Sequence, residues 1–133
     1  MVRKRQKKRG KFIEHGVRLE PHERKTVEFF LDRGDDVELM VPSYTVGRKN
    51  ADWLLWGRIW EVKSPQTDNA NTMVVMLKRA SRQSANLVID LQRLRGDESR
   101  TIKLIRNKFA TSRRFKHILI ITKNREVIEL KRG

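Results

Sequence analysis

Apolar residues in this chain arrive in short bursts, and this limits the folds open to it. Runs such as WLLW (residues 53–56) and ILII (118–121) fall far short of the roughly 18 apolar residues of a membrane-spanning helix. The basic N-terminus is not followed by an apolar signal-peptide segment, so the chain is expected to be soluble. NLVIDL (86–91) reads as a short buried strand, and HILIIT (117–122) and EVIEL (126–130) as two closing strands. DVELMV (36–41) alternates Val37, Leu39 and Val41 with Glu38 and Met40, the period of a strand, and Pro42 ends it. Residues 51–63 hold two apolar runs around Trp56 and Gly57 and are expected to form a hairpin.

Three stretches have helical spacing instead. Pro21 suits a first turn, Val27, Phe30 and Leu31 follow on one stripe, and Gly34 stops the helix. A second helix is expected over about 71–85, with Met73, Leu77, Ala80 and Ser84 inward. A third follows GDES (96–99), capped by Asp97 or Ser99, with Ile102, Ile105 and Phe109 as its apolar stripe. The fold class is therefore α/β, a mixed central sheet of about six strands with helices on its faces.

Charge narrows the partner. The 133 residues hold 31 lysines and arginines against 16 acids, a formal charge of +15, which favours a polyanion such as nucleic acid. Residues 1–11 contain seven of the cations and no acid and are expected to form a disordered basic tail. Residues 12–133 are read as one domain, and +15 less those seven cations leaves it +8. There is no cysteine, which excludes disulfides and thiolate metal sites and points to a reducing compartment.

WEVKSP (60–65) stands out in this basic chain. Side chains two apart on a strand share a face, so Glu61 and Lys63 point one way and Trp60 and Val62 the other. If Trp56 and Gly57 form a two-residue turn, Asp52 lies opposite Glu61 and Trp53 opposite Trp60. Two carboxylates that close repel unless a cation or a proton lies between them. Asp52 and Glu61 are thus candidate ligands for Mg2+ (or Mn2+), with Lys63 placed to orient a water or offset charge on a phosphate. Everything here depends on register, because a one-residue slip sends the two acids to opposite faces.

Glu23 stands four residues before Val27 and seven before Phe30, on the inward stripe of the first helix. It is either a further catalytic acid or a first-turn acid that offsets the helix dipole. Glu28 turns away from that stripe and is read as solvated. Lys78, Arg79 and Arg82, with Arg113, Arg114 and Lys116, form two basic clusters able to grip phosphates. Asp90 is read as a buried partner for a lysine or arginine. His15, His22 and His117 have no metal-ligand spacing. Of the tryptophans, Trp56 alone is a candidate for stacking on a base.

The helix acid, Asp52, the hairpin and Glu61-x-Lys63 together resemble the PD-(D/E)XK nuclease superfamily, whose fold is a restriction-endonuclease-like core. The proline that often precedes the aspartate is replaced here by Asn50-Ala51. PHERKTVEFF, ADWLLWGRIWEVKSP, NTMVVMLKRASRQSANLVIDL and HILIITKNREVIEL look like the C-terminal tRNase domains of CdiA-type contact-dependent growth inhibition toxins. That resemblance implies a toxin domain that cleaves tRNA in the cytoplasm, delivered as part of a larger secreted protein and neutralised by a cognate immunity protein. It also implies that Gln83, with Asn71 and Thr72, lines the substrate side, although a helix cap and a polar helix face account better for Asn71 and Thr72. Two other readings stay open: a DNA endonuclease of the same fold, of the junction or repair type, and a non-catalytic basic RNA-binding protein whose acids pair with lysines.

Overall fold

The computed structural model describes residues 8–41 and 52–132. Residues 1–7 of the expected tail, Pro42, and the Asn50-Ala51 pair before Asp52 lie outside the described residues. The chain divides into two compact units, Met1–Arg58 and Ile59–Gly133. Among the described residues there are seven strands and three α-helices, with parallel and antiparallel pairings in both units. The mixed α/β architecture expected from the sequence is present.

In the first unit, β1 (Phe12–Ile13) pairs parallel with β2 (Val37–Leu39), which pairs antiparallel with β3 (Trp53–Leu55). β1 was not anticipated; two residues paired only through a distant strand carry no period to read. β2 stops at Leu39, and Val41 is exposed rather than inward. α1 (Pro21–Asp32) has Pro21 in its first turn and buries Val27, Phe30 and Leu31, with Phe30 edge-on to Trp53 at 5.7 Å. Residues just before β1 are tied down: Gly10 N–H donates to Leu31 O at 2.8 Å and Arg9 pairs with Glu28 and Asp32. Glu28, read as solvated, is thus an ion-pair partner on the helix surface.

Trp56 and Gly57 follow β3 with φ of 55° and 72°, the left-handed pair that a tight two-residue hairpin turn demands. A tryptophan there is uncommon. Its indole N–H donates to Asp35 at 3.0 Å and its ring meets Phe30 edge-on at 6.5 Å, contacts that offset the backbone strain.

In the second unit, β4 (Arg58–Lys63), β5 (Asn86–Asp90) and β6 (His117–Ile121) run parallel, and β7 (Val127–Lys131) closes antiparallel on β6. β5 and β6 are buried along nearly their whole length, which explains their unbroken apolar runs. α2 (Ala70–Gln83) and α3 (Glu98–Thr111) pack Met73, Leu77, Ala80 and Ile105 into a core with Leu87, Ile89, Ile118 and Ile120. Asn69 caps α2 through its side chain on Thr72 N–H, and Asp97 caps α3 on Arg100 N–H. α2 ends two residues before the expected limit: Ser84 becomes its C-cap and donates its hydroxyl to Ile59 O at 3.0 Å. No helix among the described residues is long and apolar enough to cross a membrane.

Candidate active site

The second unit assembles an acid–lysine–amide group on β4 and α2. Glu61 is 4% exposed, and burying a carboxylate costs several kcal/mol unless charge and hydrogen bonds compensate it. Compensation comes from two sides. Lys63, on the same face of β4, brings its Nζ to 3.4 Å from Glu61 Oε1. From the last turn of α2, Gln83, with its amide oriented to satisfy both groups, donates to Glu61 Oε2 at 2.7 Å and Oε1 at 3.0 Å. Gln83, expected on the substrate side, therefore has its amide on the carboxylate. The alternation expected for WEVK holds on the opposite face too: Trp60 is fully buried and packs on the His117 ring at 4.8 Å.

A cleft of about 400 Å³ opens beside Lys63. Asn71, Thr72 and Arg79 from α2 line it with Val75 and Met76. Arg79 thereby shares a cleft with the lysine of the EVK triplet, whereas Lys78, the next residue, faces a separate groove with Lys108 and Arg114. Arg82 and Arg113 are exposed. Val75, Met76 and Lys108 carried no signal as site residues, because an apolar stretch and a lone lysine look the same on any helix.

The SP that ends β4 is clamped. Arg93, in a 3-10 turn over Leu91–Arg93, donates from its guanidinium to Ser64 O at 2.8 Å and Ser64 Oγ at 3.3 Å. Asp90, fully buried, accepts from both guanidinium nitrogens of Arg125 at 2.8 and 3.2 Å and from Gln92. It is the buried partner of an arginine, as expected. His117 is also structural: Nε2 lies 2.8 Å from Glu129 Oε2.

In the first unit, Glu23 accepts a hydrogen bond from Glu20 N–H at 2.8 Å. It closes a capping box at the start of α1, which accounts for an acid on that helix without a catalytic role. Asp52 immediately precedes β3, and its carbonyl accepts from Met40 N–H at 2.8 Å. Trp56, the stacking candidate, is half exposed with its indole nitrogen on Asp35. Among the described residues no three metal-binding side chains cluster.

A mixed α/β chain with a buried acid beside a partly buried lysine on one strand face, a cleft next to them and a strongly basic surface is the class of protein these observations define. Residues 49–127 match the contact-dependent growth inhibition CdiA C-terminal domain family, and the chain belongs to that family. Its fold is similar to the solved CdiA-CT/CdiI toxin and immunity complex from Burkholderia pseudomallei, with a TM-score of 0.68 and 18% identity. That likeness covers 92% of this chain and 100% of the other. No curated protein sequence matches the chain.

Proposed function

We infer that this domain is a metal-dependent endonuclease that hydrolyses phosphodiester bonds in RNA, with tRNA as its substrate, and serves as the toxin end of a larger delivered protein. One observation carries the reading: a carboxylate almost wholly withdrawn from water, 3.4 Å from a lysine ammonium, stands next to a cleft on a chain of +15. A structural ion pair needs no cleft and no basic surroundings. A metal-dependent phosphodiester hydrolase has a use for each feature: an anionic group to hold a cation, an ammonium near the phosphate, a cleft for the scissile bond, and surface cations to hold the polymer.

Hard oxygen ligands suit magnesium or manganese. Magnesium keeps several waters and needs only one or two carboxylates, so a site without three clustered ligands fits it. Glu61 supplies one carboxylate, and Asp52 is the second by its place in the motif. When bound, the ion supplies Lewis-acid activation of a water and stabilises charge on the phosphate. Lys63 orients that water or offsets the developing negative charge, Gln83 holds the Glu61 carboxylate at a fixed rotation, and Arg79 with Lys63 binds phosphate in the cleft. The restriction-endonuclease-like core and Glu23 as a further acid belong to the same reading, although the capping box leaves Glu23 the weakest member. Family membership supports the toxin role. The solved neighbour is a complex with an immunity protein, which supports a cognate immunity partner for this domain and action in the cytoplasm after delivery.

The test is incubation of the purified protein with total tRNA, duplex DNA and branched DNA, with magnesium or with chelator, and mapping of new ends. Cleavage of tRNA alone, abolished by chelator, is expected. Cleavage confined to DNA, full activity in chelator, or no cleavage with unimpaired RNA binding overturns it.

A further inference from the structure

The two sides of α2 carry different cavities. Besides the Lys63–Arg79 cleft, a groove of about 280 Å³ is floored by Leu77 and Phe115 and rimmed by Lys78, Lys108 and Arg114, three cations from α2, the end of α3 and the segment before β6. Both floor residues are buried, so they present only an apolar edge, while the three rim residues are exposed. Arg82 is four residues after Lys78 and three after Arg79, which makes it a neighbour of both on the helix surface. Cations therefore run without a break from Lys63 and Arg79, over Arg82 and Lys78, to Lys108 and Arg114.

A helix with its side chains is about 10–12 Å across, so no single phosphate reaches both cavities. A polyanion with charges spaced along it does. We propose that the groove is a second RNA subsite, which takes a nucleotide of the strand beyond the cleavage cleft: its base against Leu77 and Phe115, its phosphates on Lys78, Lys108 and Arg114, and the intervening backbone across Arg82. Single strands are held in this way, by a basic track with apolar seats for bases. The inference rests on RNA as the substrate and gives the function reading a consequence it lacks, namely that the domain grips long substrates more tightly than short ones.

The experiment uses Glu61→Gln protein, expected to hold RNA without cutting it. Binding of fluorescein-labelled single-stranded RNA of about 12 nucleotides, within the usual range for such tracks, is followed by anisotropy against KCl. Lys108→Ala/Arg114→Ala is expected to bind about tenfold more weakly at low salt, with a salt slope shallower by about 1.4, since each lost phosphate contact on a single strand removes roughly 0.7. Lys103→Ala/Arg106→Ala, on another face of α3, should match the parent. Lys108→Arg/Arg114→Lys should restore binding, which separates lost charge from a damaged fold, and a trinucleotide should bind all variants alike. Equal RNA binding by the groove variant and the parent, or an equal loss in the Lys103/Arg106 variant, overturns the proposal. So does a groove variant that keeps RNA but loses poly-glutamate, which would make this a face for an acidic protein. Because binding is read without cleavage, the subsite fails or stands independently of nuclease activity.

Discussion

The Gln83 amide at the end of α2 meets both carboxylate oxygens of Glu61 on β4, at 2.7 and 3.0 Å. It thus joins helix to strand at a buried acid that also contacts a lysine. A carboxylate held from two directions is prevented from rotating, and a fixed rotation matters for any group that must present an oxygen to a cation or a water.

Replacing Gln83 tests that arrangement. Gln83→Ala should leave the fold intact and lower cleavage roughly 10- to 100-fold, the usual cost of losing a supporting contact. Gln83→Glu should be worse in a pH-dependent way. It sets a second carboxylate against Glu61, which raises one of the two pKa values in the folded state. A raised folded pKa contributes stability below the unfolded value and loses it as pH rises. The melting temperature of Gln83→Glu relative to the parent should therefore fall between pH 5 and pH 8, while that of Gln83→Ala should keep a constant offset. A constant offset for both would mean that the amide and Glu61 do not meet.

Glu61 and Lys63 should separate chemistry from stability. Glu61→Gln keeps the shape and is expected to abolish cleavage, by at least about 100-fold, with a small change in melting. Glu61→Ala should additionally cost about 1 kcal/mol, because Lys63 and Gln83 lose their acceptor. Lys63→Ala should abolish cleavage and also destabilise, by roughly 1–3 kcal/mol, because it removes the charge that compensates the buried Glu61 carboxylate. Urea unfolding beside tRNA cleavage measures both. Parent-like cleavage by either Glu61→Gln or Lys63→Ala would remove these residues from the mechanism.

Much of this was legible in the sequence because it is periodic or local. The unbroken apolar runs of β5 and β6, the stripe of α2 and the shared face of Glu61 and Lys63 all follow from spacing along a few residues. What was not legible depends on contacts between distant segments. β1 exists only because β2 pairs with it. Arg93 reaches Ser64 across 29 residues, and Gln83 meets Glu61 across two elements. Glu23 shows the converse limit: its spacing from Val27 and Phe30 suggests the inward stripe, yet its carboxylate is taken up by the Glu20 N–H at the helix start, so helical spacing alone is no evidence of catalysis there.

Arg125 and Asp90 offer a prediction about stability alone. Asp90 is fully buried and receives a forked guanidinium from Arg125. Arg125→Ala withdraws the charge that makes a buried carboxylate tolerable and should destabilise by roughly 3 kcal/mol. Asp90→Asn keeps some hydrogen bonding and should cost less. Equilibrium urea unfolding, followed by tryptophan fluorescence, gives both values; a cost under about 1 kcal/mol for Arg125→Ala would show that the pair is not needed to hold β5.

The loop entering α3 gives an acid-side test whose sign is set by Asp68. Asp97 N–H donates to Asp68 Oδ2 at 2.9 Å and Arg100 to the same oxygen at 2.7 Å, and these contacts, the Asp97 bond foremost, hold the Asp68 carboxyl below its ordinary value. A lowered folded pKa contributes stability above the unfolded value, about 3.9, and loses it as pH falls through the folded value. Asp68→Asn should therefore melt below the parent at pH 7, and the two curves should converge as pH drops beneath about 3.9. Gly96 guards the same contact: its φ is 108°, and an added Cβ would lie 2.4 Å from the Asp68 carboxyl carbon. Gly96→Ala should accordingly destabilise by about 1–3 kcal/mol through backbone strain and, by pushing Asp68 aside, flatten the acid-side difference from Asp68→Asn. Melting curves of the two single variants and the double variant from pH 2.5 to pH 7 decide it. If the Asp68→Asn difference persists unchanged to the lowest pH, the carboxylate is not held by Asp97 and Arg100.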